Sequence, residues 1–131
     1  MHRSRLAAVV IDSQVEDIDG AASFWAKALG YLAVPSKEAW ASKYVHLDVP
    51  DDQIRVLVQK VDHASRAHLD IETDDIPAEV ARLEKLGAKA IKRLPRWTVM
   101  EAPTGHRFCV VMPQRPDFKN AEDVNVWGVE T

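Results

Sequence analysis

The stretch Arg66-Ala67-His68-Leu69-Asp70-Ile71-Glu72-Thr73-Asp74-Asp75 alternates along its length and then runs into a helical pattern that begins at Ile76. Successive side chains of a strand point to opposite faces, so His68, Asp70 and Glu72 share one face and Leu69, Ile71 and Thr73 the other. Asp74 or Asp75 caps the helix that follows, and Pro77 is tolerated in its first turn. Ile76, Val80, Leu83 and Leu86 recur at helical spacing and form its buried stripe, and Gly87 closes it. Residues 88–94, 97–102 and 107–112 then read as three strands, separated by Pro95-Arg96 and by Pro103-Thr104-Gly105.

The same order stands upstream. Residues 6–11 are apolar and rich in β-branched side chains, as in a largely buried strand, and the polar bridge 12–17 ends it. Ile18, Ala22, Trp25 and Leu29 then mark one face of an amphipathic helix, with Asp17 to cap it and Gly30 to close it. A short strand over 31–34 precedes the Pro35-Ser36 turn, and the ambiguous segment 37–42 carries Trp40. Residues 43–49 alternate, with Tyr44, His46 and Asp48 on one face and Val45, Leu47 and Val49 on the other. After the turn at Pro50-Asp51-Asp52, residues 54–61 form a strand in which Leu57, Gln59 and Val61 share a face. Strand, helix and three strands therefore occur twice, with Leu29-Gly30 answered by Leu86-Gly87. The expected fold class is α+β, in one domain over 1–131. Module one covers about 4–61, module two about 66–112, and residues 113–131 are a polar tail, either a strap over the body or part of a partner contact.

Composition narrows the function classes. The chain has 131 residues, 47% hydrophobic and 28% charged, enough to bury a core without disulfide or metal staples. A net charge of -3 and the lack of a basic stripe argue against a nucleic-acid module. Lys89, Lys92, Arg93 and Arg96 are interrupted by apolar residues and read as one solvated strand face. No apolar run approaches the roughly 20 residues that span a bilayer, and residues 6–11 are too short for a signal-peptide core. The single cysteine, Cys109, cannot form an intramolecular disulfide, and the expected setting is cytoplasmic.

The segments 23–31 (Ser-Phe-Trp-Ala-Lys-Ala-Leu-Gly-Tyr), His68-Leu69-Asp70-Ile71 and 97–111 resemble the glyoxalase-like subgroup of the vicinal oxygen chelate superfamily, which contains glyoxalase I, extradiol dioxygenases and bleomycin-resistance proteins. The resemblance extends over about residues 6–112. It implies two βαβββ modules whose curved sheets enclose a central cleft, a small organic ligand in that cleft, and a homodimer. Metal-using members place ligands on the first and last strands of each module. Carried over, those positions are about Val9, then Leu57 or Gln59, then His68 and Cys109, where the family usually has glutamate. Of these only His68 matches a ligand position, so the set implied for a divalent metal is incomplete.

His68 is the candidate catalytic residue, as acid, base or lone ligand, because its ordinary pKa lies near neutrality. The plainer reading is a histidine held by a neighbouring carboxylate such as Asp70 or Glu72. Val9, Leu57, Gln59, Trp97, Cys109 and Trp40 are the candidate pocket residues, with Trp97 and Trp40 as aromatic walls. Cys109 lies in an apolar strand, which favours a buried, unreactive thiol. Trp25 belongs to the helix stripe, and the Tyr44-His46-Asp48 face is equally a solvent face. His2, His63 and His106 receive no role. The implied activity is that of a lyase, isomerase or dioxygenase, and the rival is a non-catalytic binder of the antibiotic-sequestering type.

Overall fold

The computed structural model describes residues 1–35 and 43–128. Its elements are β1 (His2–Ser13), α1 (Ile18–Leu29), β2 (Ala33–Pro35), β3 (Tyr44–Leu47), β4 (Arg55–Lys60), β5 (Arg66–Thr73), α2 (Ile76–Lys85), β6 (Lys89–Arg93), β7 (Trp97–Glu101), β8 (Arg107–Val111) and β9 (Asn125–Trp127). Two βαβββ units therefore follow one another in an α+β chain, with a short ninth strand in the tail. No helix among the described residues is long and apolar enough to cross a membrane.

The chain forms two compact units, Ala8–His68 and Met1–Ala7 together with the chain from Leu69 onward. In the first, β3 pairs antiparallel with both β2 and β4, and the second half of β1 pairs parallel with β4. One face of this sheet holds Val45, Leu47 and Val58, which bury Ala22 and Ala26 of α1. Small residues on the helix stripe let it lie close to the sheet, and each aliphatic side chain so buried stabilises by about 1.5–3 kcal/mol. The Asp17 carboxylate accepts from Asp19 N at the start of α1, and Gly30 ends it at φ 79°, a left-handed conformation that favours glycine. Leu29 departs from the expected stripe: it is exposed, and Ala26, one turn earlier, takes the buried place.

In the second unit β5 pairs parallel with β8, β8 antiparallel with β7, and β7 antiparallel with β6. Val80 and Leu83 of α2 pack on Met100 and Val110, with Ile71 and Phe108 beside them. Asp75 is the cap, accepting from Ala78 N at 3.0 Å, whereas Asp74 accepts from Arg3 N at 2.8 Å. Leu86 lies past the last helical residue and is exposed rather than buried.

The tail is a strap within this unit. β9 pairs antiparallel with residues 2–4 of β1, Phe118 and Val124 are buried, and Trp127 Nε1 donates to Ser4 Oγ at 2.8 Å. The Arg82 guanidinium sits 3.9 Å from the centre of the Trp127 ring and makes a forked pair with the buried Glu79. His2 Nε2, 2.8 Å from Glu79 Oε1, completes the cluster, so a histidine to which sequence assigned no role is buried and hydrogen-bonded. Burial alone would push the Glu79 carboxyl up, but hydrogen bonds from Arg82, His2 and Ser4 outweigh it and hold it below its ordinary value.

Candidate functional site

Register decides which side chains of the Ala8–His68 unit face away from α1. Parallel partners point the same way, and Val9 and Ile11 are in register with Val56 and Val58, which pack toward the helix. Val9, expected in the pocket with Leu57 and Gln59, is thus on the helix-facing side and does not share their face. The opposite face carries Val10 beside Leu57 and His46, and Asp12 beside Gln59 and Tyr44. This face is polar at one end. Gln59 Nε2 donates to Tyr44 Oη at 3.2 Å, and Arg55 Nη2 donates to His46 Nδ1 at 2.8 Å.

His68 meets this face through Asp12. Its Nδ1 lies 2.7 Å from Asp12 Oδ2, and the His68 side chain is 14% exposed. A carboxylate only accepts, so Nδ1 carries the proton and Nε2 is the nitrogen that exchanges one in the neutral ring. Arg66 Nε stands 3.8 Å from the same oxygen. A carboxylate that holds His68 is therefore Asp12, which the sequence reading had not offered for that role. Glu72 is engaged elsewhere: it accepts from Arg5 Nε at 2.7 Å and from the backbone N–H groups of Gln114 and Arg115 at 2.6 and 2.9 Å.

Asp12 was missed because it lies at a strand end, where an acidic residue reads as the start of a loop. The available signal was its spacing of two from Val10, which continues the strand alternation and puts the carboxylate on one face.

Histidine 46 differs in character. Burial, and after it the Arg55 charge, hold its imidazole below the ordinary value and favour the neutral ring. Since a guanidinium can only donate, His46 Nδ1 is the acceptor.

The remaining candidates scatter. Leu57 and Gln59 share the Asp12 face, as described. Cys109 stands opposite Asp70 in the β5–β8 ladder, half-buried, with Val99 as its β7 partner. Trp97 opens β7 opposite Val111, 40% exposed. Trp40 lies outside the described residues.

The residues a metal would call on are His68 and Asp70, alternate residues of β5, and Cys109, the ladder partner of Asp70. Asp70 adds a carboxylate that the sequence reading had given only to holding His68. The set is one imidazole, one carboxylate and one thiol. A hard divalent ion prefers oxygen donors and non-haem iron two histidines with a carboxylate, so this set does not fit the family's usual ion. His68 Nδ1 is also committed to Asp12.

Glyoxalase-like domains as a family match residues 8–111 of the chain. The chain belongs to the glyoxalase-like domain family. With it comes membership of the vicinal oxygen chelate superfamily, as the resemblance in sequence had implied. No curated protein matches the chain. Among solved structures, methylmalonyl-CoA epimerase from Mycobacterium tuberculosis aligns with TM-score 0.61 and 18% identity, over 88% of this chain and 91% of that one. A hypothetical protein from Bacillus halodurans C-125 aligns with TM-score 0.64 and 10% identity, over 85% and 95%. An extradiol ring-cleaving dioxygenase from B. fuscum aligns with TM-score 0.57 and 14% identity, over 84% of this chain and 32% of that one. At these identities the likeness is one of fold.

Proposed function

We propose that this glyoxalase-like protein binds a small organic molecule at the polar sheet face of Ala8–His68, and that His68 exchanges a proton with it in an isomerase- or lyase-type reaction. The observation that carries this reading is the 2.7 Å pair between His68 Nδ1 and Asp12 Oδ2. A base oriented by a third group is the arrangement that acid–base catalysis requires, because it fixes the tautomer and stabilises the imidazolium that forms. Likeness to methylmalonyl-CoA epimerase supports the isomerase side. A dioxygenase would need a bound metal, which the donor set does not favour.

The test is exchange of deuterium from solvent into a panel of acyl thioesters and 2-keto acids, followed by NMR. The native protein is expected to label at least one of them, and His68→Gln to slow that labelling by about 10²–10⁴-fold. Binding of the same compound without labelling sinks the catalytic reading in favour of the non-catalytic binder. That rival draws on Cys109 standing where the family usually has glutamate. Stoichiometric metal found by elemental analysis and lost in His68→Ala would overturn the metal-free form of the proposal.

The proposal includes one domain over 1–131 that forms a homodimer in the cytoplasm, with no nucleic acid or membrane as partner. Dimerisation now rests on the family alone, since Trp127 is held by Ser4 and Arg82 of its own chain. A monomeric mass by light scattering at micromolar concentration would remove it. The free thiol of Cys109 supports a reducing compartment.

A further inference from the structure

Strand alternation puts His46 on the Asp12 face of the Ala8–His68 sheet, because Val45 and Leu47 on either side of it pack toward α1. In the ladder His46 stands beside Leu57, and Leu57 beside Val10, with Asp12 two residues further along β1. The backbones of His46 and Val10 are two strand spacings apart, roughly 10 Å. The floor between them is aliphatic. His46 stands at one end of this row, and His68, held by Asp12, beyond the other.

The two imidazoles are fixed in opposite tautomers. His68 Nδ1 donates to the Asp12 carboxylate, so in the neutral ring Nε2 holds the lone pair. His46 Nδ1 accepts from Arg55 Nη2 at 2.8 Å, so its proton is on Nε2. That N–H has no hydrogen-bond partner among the described residues, and unlike Asp12 Oδ1 it is not sealed from solvent. His46 is half-buried, and both burial and the Arg55 guanidinium oppose a second proton on the ring. One face therefore offers a base and a neutral donor. A neutral imidazole N–H polarises a carbonyl and stabilises the oxyanion that forms, without giving up its own proton.

We infer that His46 is a second catalytic residue of the reaction proposed for His68, donating from Nε2–H to the carbonyl oxygen of the substrate, an assignment that rests on His68 as the base. The substrate is then a carbonyl compound with a hydrogen on the neighbouring carbon. His68 Nε2 takes that hydrogen as a proton. The C–H electron pair forms the carbon–carbon double bond of an enolate, and the carbonyl π pair moves onto the oxygen held by His46. Return of a proton, or of a deuteron from solvent, to the same carbon restores the carbonyl.

Two probes test this on the full chain: S-propionyl-N-acetylcysteamine and 2-oxobutyrate, each carrying ¹³C at the carbonyl next to the exchanging carbon. Bound to the native protein, at least one carbonyl signal is expected to move downfield, as a carbonyl does when it accepts a hydrogen bond. His46→Leu has no donor. It should abolish that displacement and slow deuterium labelling about 10²–10³-fold in kcat, while KM changes less than about threefold. His46→Gln keeps a donor N–H and should recover about tenfold of the lost rate. A displacement or a labelling rate unaltered in folded His46→Leu would overturn the assignment, as would failure of the native chain to bind either probe at millimolar concentration. No variant is needed for one further check: the ¹⁵N signal of His46 Nε2 in the native chain should be that of a protonated nitrogen and should move when the probe binds. An unprotonated Nε2 would overturn the assignment outright. His68→Gln separates the two readings, since the carbonyl should still move while labelling is lost. A carbonyl displaced in the native chain and in His68→Gln but not in His46→Leu, with labelling in none of them, supports His46 as the donor and sinks only the base.

Discussion

Two buried carboxylates, Glu72 of β5 and Asp12 of β1, are treated oppositely. Glu72, fully buried, accepts from the Arg5 guanidinium through one oxygen and from two backbone N–H groups through the other. Arg5 in turn donates to Asp117 at 2.6 Å and to Asp123 at 2.5 Å. Burial would by itself lower the Arg5 pKa, yet these hydrogen bonds drive it well above its ordinary range. Asp12 spends one oxygen on His68 and Arg66 and leaves the other without a partner among the described residues. A saturated buried charge holds chains together. A half-satisfied one beside an imidazole orients the ring and contributes less to holding the chain together.

The sharpest way to break this contrast is to remove each carboxylate. Glu72→Ala strands a buried guanidinium and two backbone donors, and should cost about 3–5 kcal/mol in urea denaturation. Asp12→Asn keeps shape and loses only the charge, so a cost below about 2 kcal/mol is expected. Comparable losses would show that Asp12 is a structural group after all.

A smaller effect tests whether the strap shares the saturated character of Glu72. Trp127→Ala removes the hydrogen bond to Ser4 and the ring under Arg82, and should lower stability by about 1–3 kcal/mol. A loss within experimental error would separate the strap from the network.

The smallest effect is one of pH in the other unit. His46 is held below its ordinary value of 6.5, so near that pH the unfolded chain binds more protons than the folded one. Stability therefore rises with pH there, and the contribution of neutral His46 is lost as pH falls from about 6.5 through the lower folded value. In urea midpoints measured between pH 7.5 and 5, His46→Gln should flatten this dependence. An unchanged slope would place its source at another group.

How much of this was legible in sequence follows from what periodicity carries. The duplication of helix and strands was readable because Asp17 and Asp75, Gly30 and Gly87, and the alternating runs are local signals. Each is decided by residues within a turn or two. Leu29 and Leu86 misled because the helix axis ends there and the stripe no longer faces the sheet. Alternation also put His68 and Asp70 on one face but could not name a partner 56 residues away, which is the separation of Asp12 from His68. The buried charges were the least legible. Arg5, Glu72 and Glu79 have the composition of a solvated surface, and only the fold shows that they face one another. Placing Asp12 in the polar bridge hid the residue that gives His68 its tautomer.

β1 is one strand that serves two compact units, its first residues in one and its last in the other. On a growing chain this imposes an order of events. Residues 8–13 meet their β4 partners at residues 55–60. Residues 2–5 must wait for Glu72, Asp74 and Glu79 and then for the strap at 117–127, more than a hundred residues later. Contacts so distant in sequence close long loops, which raises contact order and slows folding. The segment that joins the two units is thus secured by the residues farthest from it in sequence.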